Sequence, residues 1–241
     1  VRNVSRRDLL SGAVVGSALV ACVSRALPPP ADDARLLNDW PFLDRYRADN
    51  QALLASGQAV DAVFMGDSIT EGWRNADPGF FSAGRVCRGI GGQTTPQMLV
   101  RFRADVIHLR PRIVHVMAGT NDVAGNTGPA TPEMTQDNLQ SMTELALTNG
   151  LAVILASIPP AASFPWRPGL ETANAIASLN EWLRDYARRA GAVYADYHGA
   201  MSNGHGGMRP GLASDEVHPT PAGYAAMRPV AEAALRAAVT R

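Results

Sequence analysis

The chain of 241 residues is 46% hydrophobic and 18% charged, with 22 basic residues balanced by 22 acidic ones. That is enough apolar material for one packed domain and too much for a disordered chain. Zero net charge leaves no electrostatic footprint for nucleic acid, two cysteines cannot build a disulfide framework or a cysteine-based zinc site, and no apolar run reaches the ~18 residues of a membrane span.

Residues 1–21 read as an export signal. Arg6-Arg7 forms a basic opening, and the stretch from Leu9 to Val23 is mildly apolar. The paired arginines resemble a twin-arginine signal. The segment closes on Leu19-Val20-Ala21-Cys22, which resembles a bacterial lipobox, so Cys22 is the candidate lipidation site. Cleavage near Ala26, with Cys22 discarded, stays open as the alternative. Residues 22–37, with Pro28-Pro29-Pro30, read as a stiff tether, and 38–241 as the folded domain. This predicts an extracytoplasmic protein in the periplasm or cell envelope, attached to a membrane only through a lipid anchor. The remaining thiol, Cys87, falls in a strand and reads as a buried structural cysteine.

Mixed helical spacing of Trp40, Phe42, Leu43, Tyr46, Leu53 and Leu54 predicts a helix over 38–56. Five short apolar runs follow, over 60–65, 86–90, 113–118, 151–158 and 192–195, each bounded by breakers. Such runs suit strands buried on both faces. Helical patterns separate them over 95–108, 133–149, 172–190 and 221–240, with Asn149-Gly150 and Gly191 as C-caps and Pro221 opening the last helix after Thr220. Strand and helix alternate, which predicts an α/β, flavodoxin-like three-layer sandwich with about five parallel strands in the order 2-1-3-4-5.

In such a sheet, function sits beyond the carboxyl ends of the strands. Gly66-Asp67-Ser68-Ile69-Thr70 follows the first strand, Gly89-Ile90-Gly91-Gly92-Gln93-Thr94 the second, and Gly119-Thr120-Asn121-Asp122 the third. Asp215-Glu216-Val217-His218 lies in the loop before the last helix. Each piece alone has an ordinary explanation, as a helix cap, a turn or a loop hydrogen bond. Together they supply a serine acyl-transfer site. Ser68 is the nucleophile, His218 the proton carrier, and Asp215 holds the imidazole. The N–H groups of Ser68 and Gly92 and the Asn121 side chain form an oxyanion hole.

These four blocks, in this order, make the chain resemble an SGNH/GDSL hydrolase over roughly residues 58–240. The resemblance implies the same roles for Ser68, Gly92, Asn121, Asp215 and His218. The family's second block carries Asn before the glycines, whereas this chain reads Cys87-Arg88-Gly89, so the choice of Gly92 over Gly91 stays open. Gly-Ile-Gly-Gly-x-Thr-Thr is most similar to the branch related to platelet-activating-factor acetylhydrolase catalytic subunits and bacterial acetyl esterases, which implies a preference for small acyl groups, acetyl above all.

The expected function is therefore a serine esterase cleaving a short ester, acting on a small-molecule or glycan substrate. The alternatives are a lysophospholipase or thioesterase, and a non-catalytic glycan-binding lipoprotein. Trp73, Trp166 and Arg167 are candidate substrate contacts, with a core or loop-anchoring role as the rival for the tryptophans. No cofactor and no metal are expected, because the histidines and aspartates of residues 196–218 lack paired i,i+4 ligand spacing. Oligomeric state is left open.

Overall fold

The computed structural model describes residues 38–82 and 84–240. The signal sequence, Cys22 and the tether lie outside the described residues.

Five strands form one parallel sheet: β1 (Ala62–Gly66), β2 (Arg85–Gly89), β3 (Ile113–Met117), β4 (Ala152–Ala156) and β5 (Val193–Ala195). Their spatial order is β2-β1-β3-β4-β5, as the alternating pattern predicts. Every residue of β1 and β3 is buried. That is why their sequences are apolar runs without a polar face, His115 on β3 being the one polar side chain in them.

One face of the sheet carries α2 (Ser68–Ala76), the short α7 (Tyr197–Met201) and α8 (Pro221–Val239). The other carries α3 (Thr95–Asp105), α5 (Pro132–Thr148) and α6 (Thr172–Ala190). A 10-residue α1 (Arg47–Ser56) packs beside α3, and a four-residue α4 (Thr120–Val123) follows β3. The caps behave as their residue types dictate. Thr220 accepts a hydrogen bond from the Gly223 N–H at 3.2 Å, and Gly191 closes α6 in the left-handed region at φ 72°.

The helix expected over 38–56 is broken: helix at Asn38 and Asp39 gives way to turns over 40–46, and continuous helix begins at Arg47. The Asp39 carboxylate accepts the Leu43 and Asp44 amides at 2.8 and 2.9 Å, an alternative to helical pairing, and Pro41 has no N–H to give. The carbonyls of Trp40 and Pro41 instead receive the Gln97 and Gln93 side chains. This stretch therefore straps across the start of α3, next to the loop that follows β2.

Beneath the strand ends lies a buried polar network that periodicity does not reveal. Arg101, fully buried, pairs with Asp105 at 3.0 Å and donates to the carbonyls of Gly66 and Arg88 at 3.1 and 2.8 Å. Arg88 binds Asn50, which donates to Asp105 at 2.7 Å. The carbonyls where β1 and β2 end are thus tied to one guanidinium, and the turns leaving those strands start from fixed points.

His115 on β3 is buried against the Tyr197 hydroxyl at 2.8 Å and stacks on Phe64. Burial pushes its imidazole down to about 3. The group is neutral in the fold but takes up a proton in the unfolded chain below its ordinary 6.5. Its contribution is therefore present above pH 6.5 and is lost as pH falls toward 3. A His115→Gln chain, which keeps a partner for Tyr197, is expected to lose less stability on acidification, by on the order of 4 kcal/mol. Urea unfolding followed from pH 7 to pH 4 measures the difference in slope.

Candidate active site

Ser68 is the first residue of α2, immediately after the turn that ends β1. Asp67 precedes it as N-cap and accepts the Ile69 amide at 2.9 Å. The turn requires glycine at 66, because a Cβ there would collide with Thr70 Oγ1 and sit 2.9 Å from the Met117 carbonyl. The Ser68 side chain is therefore set at the positive end of a nine-residue helix. Its own N–H has no partner among the described residues.

Ser68 Oγ lies 2.9 Å from His218 Nε2, and His218 Nδ1 lies 2.8 Å from Asp215 Oδ2. An ionised carboxylate only accepts, so Nδ1 carries the ring proton and Nε2 presents its lone pair to the serine hydroxyl. The three-residue spacing explains the fit. Asp215 Oδ1 accepts the backbone amides of Val217 and His218 at 3.3 and 2.8 Å, while Oδ2 takes the ring. One carboxylate fixes both the backbone and the imidazole of His218. Burial works to raise the Asp215 carboxyl, but the hydrogen bonds from the His218 amide and ring and the charge of His218 outweigh it and hold it below its ordinary value. Glu216, between them, sits at φ 71° and accepts Ser163 Oγ at 2.6 Å, which ties this loop to the one after β4.

The register brings the other two blocks to the same place. Gly66 pairs with Gly89 on one side and Met117 on the other, so the loops after β2 and β3 flank the Ser68 turn. Glu71 decides between the two glycines. Its Oε2 accepts the Gly91 amide at 2.8 Å, its Oε1 pairs with Arg45 at 3.0 Å, and the Gly92 N–H, at φ 75°, is left without a partner among the described residues. Of the two glycine amides, that of Gly92 is the one left unbonded among the described residues. Glu71 lies three residues after Ser68 on α2, yet its contact reaches across to another strand end.

Asn121 Nδ2 is 3.0 Å from the Gln93 carbonyl and 3.3 Å from Asp67 Oδ2. The Gly-Thr-Asn-Asp block thus does two things. Asn121 turns toward the serine turn, and the next residue, Asp122, caps α3 by accepting the Thr95 amide at 3.1 and 3.0 Å. Burial raises the Asp67 carboxyl to about 6 against the opposing pull of the Ile69 amide and of the His218 charge.

The three candidate substrate contacts separate. Trp73 is a correction: it is 0% exposed, stacked on Phe80 with centroids 4.7 Å apart and also packed against Tyr224. It faces the core because it lies one helical turn from the equally buried Ile69. Trp166 is 39% exposed, its ring 6.2 Å from that of His218, so it does reach the site. Arg167 is committed elsewhere, donating to the carbonyls of Ala124 and Gly125 at 2.7 and 2.9 Å, which clamps its loop onto the segment after β3. Cys87 is buried and forms no disulfide among the described residues. Among the described residues no helix is long and apolar enough to cross a membrane.

A family model described as GDSL-like lipase/acylhydrolase matches residues 64–226. A crystal structure from Bacteroides fragilis, provisionally described as an acylhydrolase, is 44% identical with a TM-score of 0.78, covering 82% of this chain and 97% of that one. A GDSL-like lipase from Bacteroides thetaiotaomicron is 40% identical with a TM-score of 0.77, covering 83% and 99%. An acetylxylan esterase from Geobacillus stearothermophilus, at 20% identity and a TM-score of 0.61 over 73% and 94%, shares the fold. An uncharacterized lipoprotein of Bacillus subtilis is 35% identical over 75 residues, 30% of this chain and 31% of that protein, so the match spans about a third of that relative's length.

Proposed function

The chain belongs to the GDSL-like lipase/acylhydrolase family, a family of ester-bond hydrolases, and from that premise we propose that it is a serine esterase removing a short acyl group, acetyl above all, from a carbohydrate. The observation that carries this reading is the continuous run Ser68 Oγ to His218 Nε2 at 2.9 Å and His218 Nδ1 to Asp215 at 2.8 Å, flanked by the Gly92 N–H, which has no partner among the described residues.

In the proposed reaction Ser68 Oγ attacks the ester carbonyl carbon as His218 Nε2 takes the hydroxyl proton. Charge moves to the carbonyl oxygen, which the Ser68 and Gly92 amides and Asn121 Nδ2 receive. Asp215 stabilises the imidazolium. The tetrahedral intermediate collapses, the alcohol leaves with the proton from His218, and the acyl group stays on Ser68. Water, deprotonated by His218, then releases the acid.

The rim favours a polar leaving group. Glu71, Arg45, Asn126, Ser163 and Glu216 surround the site, with Trp166 as an aromatic surface suited to a sugar. Of the exposed apolar residues, Leu54, Leu147 and Val239 lie among residues next to the strand starts, whereas Leu170 lines a cavity with Trp166 and Arg167, and Met134 one with Trp40 and Asp122. Arg167 is proposed to act on substrate only through the loop it clamps. The twin-arginine-like opening, the lipobox at Cys22 and the match to a bacterial lipoprotein support placement in the cell envelope, where a glycan ester is at hand.

The test is a chain-length series. The purified chain is expected to hydrolyse p-nitrophenyl acetate with a kcat/KM at least ~10-fold above that for the octanoate, because the side chains named nearest the triad, Glu71, Asn126, Ser163 and Glu216, are polar and gain nothing from a longer acyl chain. Activity rising with acyl length would move the assignment to a lysophospholipase or thioesterase.

A further inference from the structure

We propose that Asn126 is a positioning residue that holds the Asn121 amide with its donor toward Ser68, and that Trp166 sets the orientation of both amides. The inference rests on Asn121 acting as an oxyanion donor.

The chemistry of the chain of contacts fixes its direction. An indole N–H can only donate, and Trp166 Nε1 lies 3.1 Å from Asn126 Oδ1. A side-chain amide has one oxygen and one NH2, so Asn126 must turn its NH2 the other way. That group sits 2.7 Å from Asn121 Oδ1. Asn121 then carries its own NH2 on the far side, beside the Gln93 carbonyl at 3.0 Å and Asp67 Oδ2 at 3.3 Å, next to the serine turn.

Geometry and polarisation reinforce this. The Asn126 backbone N–H donates to the Asn121 carbonyl at 3.0 Å, so the two side chains leave a closed turn in fixed relation. A hydrogen bond received at the Asn121 oxygen draws charge toward it and makes its NH2 a better donor. Asn126 Nδ2 is also 3.5 Å from the Gly92 carbonyl, too long to add much, but it shows that the residue sits between both loop-borne donors. Asn126 itself is exposed and at the lip of the site, so its side chain carries little of the fold's stability. Trp166, one edge tied to Asn126 and one face stacked on Phe164, joins the substrate rim to the oxyanion hole.

The test compares Asn126→Asp, Asn126→Ala, Trp166→Phe and Asn121→Ala in the full chain. Asn126→Asp keeps the acceptor for Trp166 and replaces the donor to Asn121 by a carboxylate oxygen; Trp166→Phe keeps the ring and deletes the N–H. Each is assayed for kcat and KM on p-nitrophenyl acetate, for thermal midpoint, and for inhibition by phenylboronic acid. Addition of Ser68 Oγ to that boron, with the hydroxyl proton passing to His218, gives a tetrahedral boronate anion with an oxygen in the oxyanion hole.

Removing an oxyanion donor costs about 10²–10³-fold in kcat, so weakening one through its support is expected to cost about 10-fold in both Asn126 variants and a few-fold in Trp166→Phe. KM and thermal midpoint stay near wild type, and the boronate Ki rises by the same factor as kcat falls. Wild-type kcat and Ki in both Asn126 variants, with Asn121→Ala down about 100-fold, overturn the proposal and leave the esterase reading standing. A raised KM with unchanged kcat also overturns it, making Asn126 a substrate contact. Full activity in Asn121→Ala removes Asn121 from the oxyanion hole and overturns the proposal with it, again leaving the esterase reading standing.

Discussion

Ser68→Ala is expected to lower kcat/KM on p-nitrophenyl acetate by about 10⁴-fold or more while leaving the thermal midpoint within a degree or two of wild type. The loss is large because, among the described residues, no other hydroxyl bonds His218 Nε2, and an ester bound without a nucleophile keeps only the help of the proposed oxyanion donors. The fold is spared because the residue is half-buried at the first position of α2, where alanine suits the helix and where the cap belongs to Asp67. The assay needs both readings from one preparation. Retained turnover in a chain that still melts normally would remove Ser68 from the chemistry.

Trp73→Ala is expected to act in the opposite way, costing about 3–5 kcal/mol of stability with little change in KM for whatever fraction stays folded. The indole is fully buried, with Phe80 stacked on it, Phe64 and Tyr197 edge-on, and Tyr224 nearly parallel. Its removal leaves a cavity that these rings cannot close together. Trp73→Phe is expected to be milder, because it keeps a ring in the stack and deletes a buried N–H that has no acceptor among the described residues. Urea unfolding separates the two variants. A stable Trp73→Ala chain with raised KM would return the residue to the substrate.

The contrast between Ser68 and Trp73 shows what the sequence made legible. The five strands stood out because each is a short, mostly buried apolar run followed by a glycine, a proline or an aspartate. Their parallel order followed from the helices between them. Ser68, Asn121, Asp215 and His218 stood out as polar residues just past those strand ends or in the loop before the last helix. What stayed hidden depends on contacts across the fold. The choice of Gly92 rests on where the Glu71 carboxylate lands. Asn126 is visible only once Trp166, 40 residues on, is seen to donate to it. The network of Arg101, Asp105, Arg88 and Asn50 joins three elements whose charges look solvent-directed in a linear reading. Trp73 was legible after all, through its spacing of four from Ile69, but a motif beside the nucleophile drew it toward the substrate.

The account depends on the Ser68 hydroxyl being the atom that takes the acyl group. The most direct measurement is peptide mapping by mass spectrometry after reaction of the folded chain with a fluorophosphonate, alongside the His218→Ala chain. The phosphonate adduct is predicted on Ser68 in the wild type, with displacement of fluoride, and its formation is predicted to slow by about 10⁴-fold when the imidazole is removed. An unmodified Ser68, or an adduct on another residue at full rate, contradicts the account.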